Sequence, residues 1–134
     1  NPVDLEFNTD GTKMFVLGQT NDAIYQYSLT TGFNISSASY DNISFSVLSQ
    51  DTSAQGISFN SDGTKMFYTG SSQDKVHQYS LTNGFSLASG NVTYDNISFD
   101  VSPQDATPAG LAFNSDGTKM FLLGLTKFVY QYSF

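Results

Sequence analysis

The string Phe7-Asn8-Thr9-Asp10-Gly11-Thr12-Lys13-Met14-Phe15 returns almost unchanged from residues 59 and 113, so its three copies start 52 and then 54 residues apart. A chain that repeats itself at such a period folds as repeated supersecondary units, each burying apolar surface against the next. The correspondence extends past the nonamer. Gly18, Gly70 and Gly124 align, as do Tyr25-Gln26-Tyr27-Ser28-Leu29, His77-Gln78-Tyr79-Ser80-Leu81 and Tyr130-Gln131-Tyr132-Ser133-Phe134. Tyr40-Asp41-Asn42-Ile43-Ser44-Phe45 returns at 94–99, whereas the third copy reaches Phe134 before its counterpart of that segment. The units are 1–53, 54–107 and an incomplete 108–134, about 2.75 in all.

Each unit reads as four strands. In the second copy, Gly56-Ile57-Ser58-Phe59 is a short strand, and Asn60-Ser61-Asp62-Gly63 is turn chemistry, in which Asn and Asp bond their own backbone and Gly takes a positive φ. Residues 64–69 form a second strand with bulky side chains on both faces, completing a tight hairpin. A polar loop leads to a third strand over 75–81, and a variable stretch to a fourth over 93–101, with Ile97, Phe99 and Val101 on one face. No segment carries a helical period. Four antiparallel strands in about fifty residues is the size of one β-propeller blade. The apolar second strands suit a sheet sandwiched between neighbours, and the alternating fourth strand suits an outer edge. The expected fold is all-β, built from propeller blades.

The Asn-Ser-Asp-Gly-Thr-Lys-Met-Phe hairpin followed by an aromatic Tyr-Gln-Tyr strand resembles the Pro-Asp-Gly type of propeller repeat. That type includes the YVTN-like repeats of microbial surface-layer proteins and the lactonase-like propellers. The resemblance covers nearly the whole chain and departs from the pattern where Asn-Ser or Asn-Thr replaces the Pro before Asp-Gly. It implies blade architecture and says little of activity, because propellers host many unrelated functions.

Composition narrows the partners. Five lysines, no arginine and twelve acidic residues give a net charge of −7, and three of the lysines (Lys13, Lys65, Lys119) sit at one repeat position. Dispersed cations do not make a phosphate-binding surface, so nucleic acid is not an expected partner. No apolar run is long enough for membrane insertion. The lightly charged chain, rich in Ser, Thr, Asn and Gly, points to an extracellular or cell-surface protein. The opening Asn1-Pro2 without Met suggests a processed or excised product.

Eleven strands are too few for a ring of about four to eight blades. Open blades leave apolar faces and an unpaired edge. The expectation from this arithmetic is a structural repeat module that self-associates into a surface layer, fibre or filament, its partners being itself or further blades. Interface candidates are Asp4, Leu5, Glu6 and Phe7 at one end, and Lys127, Val129, Tyr130, Tyr132 and Phe134 at the other. Asp4 and Glu6 stand where the later copies have Gly56 and Ser58, then Gly110 and Ala112. An exposed end face is the favoured reading of that pair. The alternatives are a partner such as Lys127 or a cation at a subunit boundary, and an active-site carboxylate pair.

Other chemistry is sparse. His77 replaces Tyr25 and Tyr130 and reads as a packed ring rather than a base or ligand. With no Cys, one His, no Arg and no nucleophile elbow, the usual residues of metal hydrolysis, triad catalysis and phosphoryl transfer are missing. The chain is therefore expected not to be an enzyme and to need no cofactor. Calcium at Asp10, Asp62 or Asp116 is a weak exception, since these turns lack the further carboxylates of a calcium loop. Asn34, Asn42, Asn91 and Asn96 open Asn-x-Ser/Thr sequons, the acceptors of N-glycosylation. A propeller that binds glycan or protein, as a lectin or adhesin would, is the alternative function. A lactonase-like hydrolase is a more distant third.

Overall fold

A computed structural model describes residues 1–134. It holds eleven strands and one short 3-10 turn, Ile35–Ser37. The first sheet is an antiparallel meander of β1 (Pro2–Phe7), β2 (Lys13–Gly18), β3 (Ala23–Leu29) and β4 (Ala38–Ser46). The second repeats it with β5 (Ala54–Phe59), β6 (Lys65–Gly70), β7 (Lys75–Leu81) and β8 (Val92–Asp100). The third has β9 (Pro108–Phe113), β10 (Lys119–Gly124) and β11 (Val129–Ser133). This is a partial β-propeller. The innermost strands β1, β5 and β9 pack side by side around the axis, each with one edge free of a ladder partner.

The hairpin motif is a closed hydrogen-bond network. The Asn60 side chain accepts from the Lys65 amide at 2.9 Å and donates to the Thr64 hydroxyl at 3.2 Å. Asp62 Oδ1 accepts from the Thr64 amide and hydroxyl at 2.9 and 2.6 Å. Gly63 sits at φ +71°, and the Phe85 ring lies so close that a Cβ there would come within 2.3 Å of it. Glycine is required by the backbone and by the ring alike.

Packing between blades makes the core. Phe15, Leu17, Ile24, Ile57, Met66, Tyr68 and Tyr79 bury themselves between the first two sheets. Val76, Val101, Leu111, Met120 and Leu122 do so between the second and third. Second strands buried on both faces were expected in every copy, yet only the middle blade has two neighbours. In β2 the buried residues are Phe15 and Leu17, whereas in β10 they are Met120 and Leu122, the opposite parity. The first blade is covered on one side and the third on the other.

The outer strands carry a break that alternation did not reveal. β4 and β8 each shift register against their partners, between the pairs of Gln26/Tyr27 and of Gln78/Tyr79, and Asn42 and Asn96 take φ of +59° and +57° there. These are β-bulges with asparagine in the left-handed region that it tolerates. At each, a glutamine of the third strand holds an aspartate of the fourth: Gln26 to Asp41 and Gln78 to Asp95, both at 2.7 Å.

Candidate functional site

Asp4 and Glu6 lie on the same face of β1, and this face looks onto β5. They do not form an exposed end face. The Asp4 carboxylate accepts from the Ile57 amide at 2.9 Å through one oxygen and from the Leu5 amide at 2.9 Å through the other. Glu6 sits against the Phe59 amide. The carboxylates thus answer backbone N–H groups on the free inner edge of β5, which no strand of the sheet satisfies. The later copies need no such device: Gly56 comes so near β9 that a Cβ would meet the Gly110 Cα at 2.9 Å. Small residues close that junction by backbone approach, and carboxylates close this one by hydrogen bonding.

The electrostatics follow from the placement. Both groups are half-buried. Burial raises the Asp4 carboxyl above its ordinary value, and its two amide bonds oppose that. Burial, with the Asp4 charge beside it, pushes Glu6 up to about 7. Two like charges on alternate residues of one strand in a partly dry junction resist double ionisation. Asp4 also borders an open groove of 270 Å³ lined by Gly110, Leu111, Ala112, Phe121, Leu123 and Val129.

Of the remaining sequence candidates, Val129 lines that groove with Asp4. Lys127 is exposed in the turn before β11 at φ +73° and makes no ion pair with Asp4 or Glu6; the chain's one ion pair joins Lys65 to Asp95 at 3.0 Å. Leu5 and Val129 are exposed. Phe7 packs on Phe33 with ring centres 5.5 Å apart. Tyr132 donates to Gln104 at 3.2 Å and meets Phe99 edge-on, and Phe134 stacks near Phe113. Tyr130 is half-buried against the second core.

Asp10, Asp62 and Asp116 each bind the amide and hydroxyl of the threonine two residues on. The threonine hydroxyl bond is the main reason that all three carboxyls lie below their ordinary value. No three His, Cys, Asp or Glu side chains gather as a metal cluster. Among the sequons, Asn34 caps the 3-10 turn, and Asn42 and Asn96 are exposed at the bulges. Asn91 is buried, donating to the Asn83 carbonyl at 2.9 Å and accepting from the Asn83 amide at 2.7 Å. That corrects its reading as a glycan acceptor, because its amide nitrogen is enclosed. His77 is buried too, with Nδ1 3.2 Å from the Tyr94 hydroxyl, and burial lowers its pKa.

Four aspartates escaped the sequence reading. Asp51 accepts from the amides of Ser53, Ser72 and Gln73 at 2.9, 3.2 and 2.8 Å, tying the linker between the first two blades to the β6–β7 loop. Asp105 plays that part in the next copy, through Thr107 and Thr126. Asp22 accepts from the Ala54 amide at 2.9 Å; in the next copy the position of Ala54 is Pro108, which has no N–H, and one oxygen of the matching Asp74 is left without a partner. The repeated Gln-Asp-x-Ser/Thr at 50 and 104 was the available signal.

No protein-family model matches the chain, and no curated protein matches it. Solved structures do. A candidate 6-phosphogluconolactonase from Bacteroides uniformis aligns over 98% of this chain with TM-score 0.68 and 11% identity. The periplasmic gluconolactonase PpgL of Pseudomonas aeruginosa aligns over 99% with TM-score 0.65 and 12% identity. The β-propeller domain of Cps50 (Swd1) from Myceliophteria thermophila aligns over 99% with TM-score 0.66 and 10% identity. The chain spans 36%, 35% and 40% of those structures. At such identity the likeness is one of fold. It nevertheless runs against the expectation of a non-enzymatic, self-associating structural module, since one of these neighbours is named a gluconolactonase and another a candidate 6-phosphogluconolactonase. No helix is long and apolar enough to cross a membrane.

Proposed function

We propose that these blades carry part of a lactone-hydrolysing site on the inner strands, with Glu6 as general base and Asp4 beside it. The observation that carries this reading is the placement of two carboxylates on one face of β1, where the other blades have only Gly, Ser or Ala, with Asp4 on an open groove. Supporting it, Glu6 titrates at about 7, the range in which a carboxylate both accepts and returns a proton near neutral pH. Its task is simple to write. The Glu6 carboxylate takes a proton from water as the oxygen of that water adds to the lactone carbonyl. The ring C–O bond then breaks, and the proton passes from Glu6 to the departing ring oxygen, leaving a hydroxy acid. Asp4, held by the Ile57 and Leu5 amides, stays in place and keeps the basicity of Glu6 high.

The substrate class follows from charge. Without arginine and with its lysines dispersed, the chain offers no clamp for a phosphate. A neutral sugar lactone suits this surface better than a phosphorylated one. An extracytoplasmic setting accompanies the reading, on the strength of the lightly charged composition and a periplasmic neighbour.

The test is acid release from glucono-δ-lactone by the 134-residue chain, followed with an indicator dye in weak buffer. A rate above spontaneous hydrolysis is expected, rising with pH through about 7, the value of Glu6. Glu6→Gln should lose roughly a hundredfold while keeping its circular dichroism. A folded chain no faster than buffer overturns the proposal.

A further inference from the structure

The internal repeat holds one turn where two copies match in fold and differ in chemistry. In the second copy a strap over 82–92 leads from β7 to β8 and covers the junction of the first two blades. Phe85 packs against Phe59 and Phe15, with ring centres 5.5 and 6.5 Å away, and Leu87 is buried. Residues of the first blade hold the strap: Lys13 Nζ donates to the Phe85 carbonyl at 3.1 Å, and Gln26 Oε1 accepts from the Leu87 amide at 2.8 Å. At its base stands Thr82-Asn83-Gly84, closed by the buried Asn91. Asn91 bonds the Asn83 amide and carbonyl, and its Oδ1 also accepts from Asn83 Nδ2 at 3.1 Å.

The first copy builds the same turn from Thr31 and Gly32, with Ser37 accepting from the Thr31 amide at 3.1 Å where Asn91 accepts from that of Asn83. Both glycines are fixed by close packing: a Cβ on Gly32 would run into the Asp10 carbonyl oxygen, and one on Gly84 into that of Asp62. The residue before the glycine is free to differ, and in the second copy it is asparagine. Of the ten asparagines in the chain, only Asn83 precedes glycine. Asn83 and Gly84 are exposed, and the Gly84 amide makes no hydrogen bond. Asn8, Asn60 and Asn114, which precede Thr or Ser, have both ends of the side chain engaged within their hairpins.

We propose that Asn83-Gly84 is a self-modification site whose conversion releases the strap from the junction. The Gly84 nitrogen gives its proton to solvent and adds to Cγ of Asn83. Nδ2 takes up a proton and leaves as ammonia, closing a five-membered succinimide. Glycine favours this closure because it has no side chain to obstruct the approach. One water then opens the ring. Addition at the side-chain carbonyl leaves aspartate, and addition at the main-chain carbonyl leaves isoaspartate, whose backbone runs through Cγ. The balance is asparagine plus water to acid plus ammonia. In the aspartate product a carboxylate oxygen faces Asn91 Oδ1 where a donor stood, acceptor against acceptor. The isoaspartate product adds a methylene to the main chain just before Gly84, whose contact with Asp62 leaves no room, and draws Phe85 from its seat. Thr31 cannot undergo the reaction, so the matching turn of the first copy is spared.

Peptide mapping by tandem mass spectrometry tests the site, with the 134-residue chain aged in mildly alkaline buffer and sampled over time. Asn83 is expected to gain the amide-to-acid mass before any other asparagine, in two products that separate on chromatography, and Asn83→Thr should remove the conversion. Hydrogen exchange on the converted fraction is the second readout. The Phe85 and Leu87 amides should exchange about tenfold faster than in fresh chain, while the Phe33 amide, bonded to the Gly11 carbonyl in the first copy, keeps its rate. Conversion that starts at another asparagine overturns the proposal, as does an Asn83 that outlasts Asn60 and Asn114. A converted fraction whose Phe85 and Leu87 amides exchange as in fresh chain overturns it too. Neither measurement depends on lactone hydrolysis, so this site and the carboxylate pair stand or fall separately.

Discussion

At the scale of single residues, Glu6 couples stability to pH. Its folded value of about 7 lies above the ordinary 4.5. Between these the folded chain keeps a proton that the unfolded chain has released, so this group's contribution is best below pH 4.5 and is lost as pH rises to about 7. Asp4 is raised as well and acts in the same direction at lower pH. The loss for Glu6 is on the order of 2 kcal/mol once its partial exposure is allowed for. Urea midpoints measured across that range should fall for the natural chain and stay nearly level for Glu6→Gln. The ionised form that hydrolysis requires is thus the one the fold tolerates least, a familiar opposition between activity and stability. The unusual pair was visible in the repeat alignment, because two acids replaced small residues. Its burial was not, since that depends on how closely β5 approaches β1.

Among the elements, the outer strands repay attention. Alternation in 93–101 correctly marked a strand, but the bulge at Asn96 interrupts it, so the face assignment holds only from Ile97 onward. The asparagine looked like a glycan acceptor, and its positive φ gives a backbone reason for its presence. Asn96→Gly should be near neutral, whereas Asn96→Val should cost about 1 to 2 kcal/mol, because a β-branched side chain is crowded in the left-handed region. Thermal unfolding of the two variants checks it: equal melting temperatures would remove the bulge argument. The hairpins, in contrast, could be read from the chain alone. Asn, Asp, Gly and Thr at 60–64 close their network within the turn and need nothing from elsewhere.

For the molecule as a whole, stability resides at the junctions between sheets. Asp51 is buried and holds three amides from two segments that sequence separates by about twenty residues. Asp51→Ala leaves those donors without a carboxylate and should cost about 3 kcal/mol. Hydrogen exchange should show the loss of protection concentrated in the linker and the β6–β7 loop; a change spread evenly over all three sheets would contradict the assignment. Repetition along the chain was enough to establish the strands and their order within each sheet, because those rest on contacts within some fifty residues. The fate of Asp4 and Glu6 lay beyond its reach. Those depend on which blade lies next to which face, and equivalent positions meet different neighbours in the first, middle and third blades.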